Sequence, residues 1–163
     1  MLKKMNARDY HVSLTVPATP IAAFNAINRV TEWWTKNLEG KSAKLNDEFT
    51  VRFDDMHTST QKLVEVVPGE KVIWLVTESR LSFVKNKTEW TGTKIYFGIS
   101  AKNGKTQIAF THAGLEPGLE CFGDCSEGWN QYIKGSLYNL LTKGQGEPEP
   151  KKAPKKEKNT RSD

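Results

Sequence analysis

Only two cysteines, Cys121 and Cys125, occur in the 163 residues. A disulfide framework is therefore excluded, and two thiols fall short of the tetrahedral set a structural zinc ion needs. No apolar run approaches the ~20 residues of a membrane span. The basic opening MLKKMNARDYHVS has no apolar stretch behind it, which argues against a secretory signal. A chain with these features is expected in the cytoplasm with both thiols reduced. Catalytic signatures are missing as well: no G-x-S-x-G elbow, no phosphate-binding loop, no dinucleotide fingerprint and no H-E-x-x-H. The three histidines, His11, His57 and His112, fall on three separate predicted strands, and nothing in their spacing brings them together. No metal and no cofactor are expected.

The length suits one domain. Five Trp, seven Phe and four Tyr give it a core to bury, so it is not a disordered chain. The net charge is +5. Residues 145–163 hold six of the 24 basic and four of the 19 acidic side chains, so the rest of the chain carries only +3. A body so close to balance lacks the electrostatic footprint of a nucleic-acid binder.

Residues 1–8 read as a polar lead-in. DYHVSLTV alternates apolar and polar side chains, the signature of a half-buried strand. Thr19-Pro20 opens a helix, with Thr19 as N-cap and Pro20 at the first helical position. A second short helix is predicted over Val30 to Trp34, where a ~100° divergence sends one tryptophan inward and its neighbour under a loop. From Leu45 the period changes to two. Strands are predicted over Phe49–Phe53, His57–Val67, Lys71–Glu78, Thr93–Ser100 and Thr106–Ala113, and Asn103-Gly104 has the signature of a type I′ hairpin turn. Asp124, three residues before Glu127, suggests an N-cap. Behind it Cys125, Trp129, Tyr132, Ile133, Ser136, Leu137, Leu140 and Leu141 recur at helical spacing, and Gly144 is a natural stop. From Gln145 onward the Lys- and Pro-rich sequence offers no large apolar side chain and is expected to be a disordered tail. The fold class expected is α+β: about six antiparallel strands in a curved sheet, wrapped around one long C-terminal helix, with two short helices after the first strand.

This order of elements resembles the helix-grip fold of the START/SRPBCC superfamily. Several segments resemble the domain of the activator of heat-shock protein 90 ATPase and its stand-alone relatives. They are PIAAFNAI followed by EWW, VPGEKVIW, EWTGTKIYFGIS followed by TQIAFTHAGL, and CSEGWNQYIKGSLYNLL. Together they span about Asp9 to Gly144, the expected domain. The resemblance implies a fold and a pocket, not a reaction, because the superfamily includes lipid carriers, hormone receptors, polyketide cyclases and proteins without a known ligand. The full co-chaperone activator carries an additional N-terminal domain that engages the chaperone. No room for one is expected in 163 residues, so a co-chaperone role is implied only weakly.

Within such a fold the ligand-binding candidates are Trp74, Trp90, Tyr96, Phe110, His112, Trp129, Tyr132 and Ser136, with Asn139 beside them on the helix. His112 follows Ile108 and Phe110 on the inward face of its strand. An imidazole there could orient a ligand carbonyl or transfer a proton. The competing reading is a buried neutral histidine that closes the strand–loop junction, and for the aromatic residues it is ordinary core packing. No residue is assigned as a catalyst. The leading expectation is a monomer or homodimer that binds a hydrophobic or amphipathic small molecule between sheet and helix. An interaction module for a chaperone or other protein, and an enzyme of cyclase or hydrolase type, are the alternatives.

Overall fold

A computed structural model describes residues 8–150. Strand β1 (Tyr10–Val16) leads into helix α1 (Pro20–Asn28) and a single 3-10 turn (Val30–Glu32). Six strands follow: β2 (Leu38–Gly40), β3 (Glu48–Phe53), β4 (His57–Val67), β5 (Lys71–Leu81), β6 (Lys94–Lys102) and β7 (Lys105–Ala113). They form one antiparallel sheet in the order β1-β7-β6-β5-β4-β3-β2. The first strand thus pairs with the last, Val12 opposite Phe110 and Leu14 opposite Ile108. The additional strand relative to the expected six is β2, three residues long and too short to show alternation. Local signals worked where the chemistry is local. Thr19 Oγ1 accepts from Ala22 N, and Asn103 and Gly104 both take the positive φ a type I′ turn requires.

The C-terminal helix begins as α2 (Phe122–Trp129), continues as a π-helical stretch (Asn130–Leu137) and ends as α3 (Tyr138–Lys143). The sequence explains this change of winding. Cys121, Cys125, Trp129, Ile133, Leu137 and Leu141 recur at every fourth position. In an α-helix each step of four overshoots a full turn by about 40°, so the stripe would spiral off the sheet. In a π-helix, with i→i+5 closure, a step of four falls short of a full turn and the stripe drifts back. Alternating the two windings keeps one apolar face on the sheet. Gly144 then stops the helix in the left-handed region, at φ 84°.

Three expectations need correction here. Asp124 is not the N-cap. The helix begins at Phe122 with no side-chain cap from its own N-cap residue, and the Glu89 carboxylate accepts from the N–H groups of Glu120 and Cys121 instead. That cap comes from a distant loop, so no local motif could show it. Trp33 and Trp34 do not diverge: their rings stack with centroids 6.1 Å apart and both stack on Trp74, because the 3-10 turn ends at Glu32 and Trp33 already has φ −136°, outside the helical geometry the ~100° rule assumes. Residues 145–150, placed in the tail by composition, lie along the body. Glu149 N donates to Trp34 O and Lys36 N donates to Glu149 O, both at 2.9 Å, and Glu147 N donates to Ser136 Oγ at 2.6 Å. Gly146 is needed for this approach, since a Cβ there would stand 2.3 Å from the Glu32 carbonyl oxygen. The remainder of the predicted tail, 151–163, and most of the lead-in lie outside the described residues. No helix among the described residues is long and apolar enough to cross a membrane.

Candidate functional site

All five tryptophans form one connected array between sheet and helix. Trp33 and Trp34 each stack against Trp74, Trp34 stacks on Trp129 with ring centroids 5.0 Å apart, and Trp129 stacks on Trp90 at 5.8 Å. At one end of this array the packing stops and a cleft of about 400 Å³ opens, within the ~300–1,000 Å³ typical of small-molecule sites. Trp34, Trp90, Trp129, Tyr132 and Cys125 form its buried floor. Phe53, His57 and Phe83 form half-buried walls, Asp54, Met56, Asp124 and Gln131 stand at the exposed rim, and Glu149, from the strap that residues 145–150 form along the body, completes the lining with Gly128.

Of the candidate residues from the sequence, Trp90, Trp129 and Tyr132 line this cleft, and five do not. Trp74 and Phe110 are fully buried behind it. Tyr96 stands on the opposite face of β6 from buried Ile95 and Phe97. Ser136 is buried and occupied by the Glu147 N–H. Asn139, the further helix position considered, donates to Glu147 on the outer side of the same strap.

His112 is fully buried, with both ring nitrogens engaged. Trp129 Nε1 donates to its Nδ1 at 3.0 Å. Its Nε2 lies 2.9 Å from Thr93 Oγ1, whose own hydroxyl donates to the Trp90 carbonyl. Because Nδ1 must accept, Nε2 carries the proton and the imidazole is neutral. Burial pushes its pKa down to about 3, and the nearby His57 adds to the shift. Its partners are two side chains, and through them His112 joins β7 to the helix and to the turn before β6.

His57 is the residue that spacing could not reveal. Its ring and that of His112 lie on Trp90 in edge-to-face contacts with centroids 4.5 and 4.6 Å away. His57 Nε2 lies 2.8 Å from Ser59 Oγ, which also accepts from Gln61 Nε2. Its Nδ1 has no hydrogen-bond partner among the described residues, and the ring lines the cleft. Burial lowers its pKa, so it too stands neutral near pH 7. The one sequence clue was the inward alternation His57, Ser59, Gln61 on β4, three polar side chains on a face that elsewhere is apolar.

Two further groups are held in their neutral forms. Cys121 and Cys125 are both free thiols; a hydrogen bond between them, together with burial, pushes the Cys121 pKa far up, so it is no thiolate nucleophile. Burial, with the Glu149 carboxylate beside it, raises the Tyr132 phenol to about 12, and its hydroxyl donates to Glu149 Oε1 at 3.4 Å. Among the described residues no group of three or more His, Cys, Asp or Glu is placed to hold a metal ion. The cleft therefore offers an aromatic lining and hydrogen-bonding positions.

No protein-family model and no curated protein matches the chain. Solved structures do. The Aha1 dimer from Colwellia psychrerythraea matches with a TM-score of 0.69 at 22% identity, over 85% of this chain and 98% of that one. Protein MLL2253 from Mesorhizobium loti matches with a TM-score of 0.63 at 14% identity, over 81% and 96%. DynU16, from the dynemicin biosynthetic locus, matches at 0.62 and 15% identity, over 86% of this chain and 49% of its own. The seven-stranded antiparallel sheet closed by one long C-terminal helix is a helix-grip fold, and at these identities the likeness to the Aha1 structure and the others is one of fold.

Proposed function

We propose that this protein binds an apolar or amphipathic small molecule in the cleft between the sheet and the C-terminal helix. The observation that carries the reading is the cleft itself. Interiors pack to crystal-like density, yet here about 400 Å³ is left open against three tryptophan rings. Gly128 supports it. Glycine in a helix costs about 1 kcal/mol relative to alanine, and a Cβ at Gly128 would meet nothing within 4 Å. A larger residue would fit and would strengthen the helix, at the expense of the cleft.

Gly128→Leu tests this directly. Titration with the neutral fluorophore phenylnaphthylamine should give saturable binding to the native chain and quench its tryptophan emission. The variant should be as stable as the native chain or up to about 1 kcal/mol more stable, and should lose most of the binding. Undiminished binding in a folded variant would mean that the probe sits elsewhere.

A further inference from the structure

We propose, given that the cleft is a ligand site, that its ligand is a small organic cation: an apolar or aromatic body carrying a protonated amine or a quaternary ammonium group. The chain as a whole is basic, with 24 Lys and Arg against 19 Asp and Glu. Among the described residues the charged side chains that line the cleft are all acidic, Asp54, Asp124 and Glu149, with no lysine or arginine. An anionic head group would meet like charge beside low-dielectric aromatic walls; a cation would meet the opposite sign.

The floor suits the other half of such a ligand. Trp34, Trp90 and Trp129 line it, and an aromatic lining takes up an apolar or aromatic body. His57 adds a neutral ring nitrogen and no competing positive charge. One element nearby would favour an anion, the N-terminus of the C-terminal helix. That position already carries negative charge, because Asp124 stands in the first turn of the helix and the Glu89 carboxylate lies against the Glu120 and Cys121 N–H groups just ahead of it. The arrangement places the apolar body on the buried tryptophans and the charged head towards the rim.

Three probes that share one ring system and differ in charge separate the outcomes: naphthylmethylamine, naphthalenemethanol and naphthylacetate, titrated into the full chain by calorimetry at neutral pH and low salt. The amine should bind tightest and the carboxylate weakest, with at least about a tenfold gap between them. High salt should narrow the gap, since the rim carboxylates are exposed to screening. Asp124→Asn combined with Glu149→Gln should narrow it at low salt by weakening the amine more than the carboxylate. If the carboxylate binds as well as the amine, or the double variant leaves the order unchanged, the cation preference is wrong and the cleft still stands as a ligand site. If none of the three binds, both readings fall.

Discussion

His112 shows how a single side chain can look like a site and act as a joint. It accepts from Trp129, donates to Thr93, and packs edge-on against Trp90. Its buried imidazole is neutral in the folded chain down to about pH 3, whereas in the unfolded chain it takes up a proton below its ordinary pKa of about 6.5. The folded pKa is the depressed one, so between these limits the unfolded state binds the extra proton and stability falls as the pH falls. The contribution is complete above about pH 6.5 and is lost towards pH 3. Across the middle of that window His112 should cost about 1.4 kcal/mol of stability per pH unit. Urea unfolding at several pH values, on the native chain and on His112→Gln, isolates the effect from the carboxylates that titrate in the same range. The variant should be less stable at neutral pH and should show a shallower acid slope. Identical slopes would mean that the imidazole is not held neutral.

At the scale of elements, the C-terminal strap is where composition misled. Residues 145–150 have no large apolar side chain, so a rule based on hydrophobic burial reads them as tail. They are held instead by hydrogen bonds: Glu149 to Trp34 and Lys36 through the backbone, and Glu147 N to Ser136 Oγ. At about 1 kcal/mol net for each such bond, ending the chain at Gly144 should lower stability by about 2–3 kcal/mol, read by urea unfolding. Removing Glu149 also takes away one wall of the cleft. Unchanged stability would show that the strap does not hold in solution. The strands, by contrast, were legible because alternation reports a half-buried sheet directly: His57–Val67 runs from the residue expected to the residue expected. The long helix was legible as a helix and not as a π-helix. Its every-fourth stripe was in plain view, but only docking on a sheet makes the drift of that stripe matter. Its start was misplaced because the capping carboxylate, Glu89, lies in another loop.

At the scale of the whole molecule, the sequence could announce that five tryptophans must be buried, and the element order could place them between sheet and helix. It could not say where the packing stops. Trp74 and Trp129 carry equal signals in the sequence, yet one lies in the closed part of the array and the other at its open end. The difference depends on side chains from β3, β4, the helix and the strap meeting in space. His57 was lost for the same reason, since the two histidines that meet one indole are far apart in the chain. The cleft at the end of the tryptophan array is the central claim, and the five indole N–H signals in a nitrogen–proton correlation spectrum test it residue by residue. On titration with phenylnaphthylamine, the signals of Trp34, Trp90 and Trp129, which line the cleft, should shift to saturation together, and those of Trp33 and Trp74 should move far less. No shift at saturating probe, or shifts spread evenly over all five indoles, would contradict it.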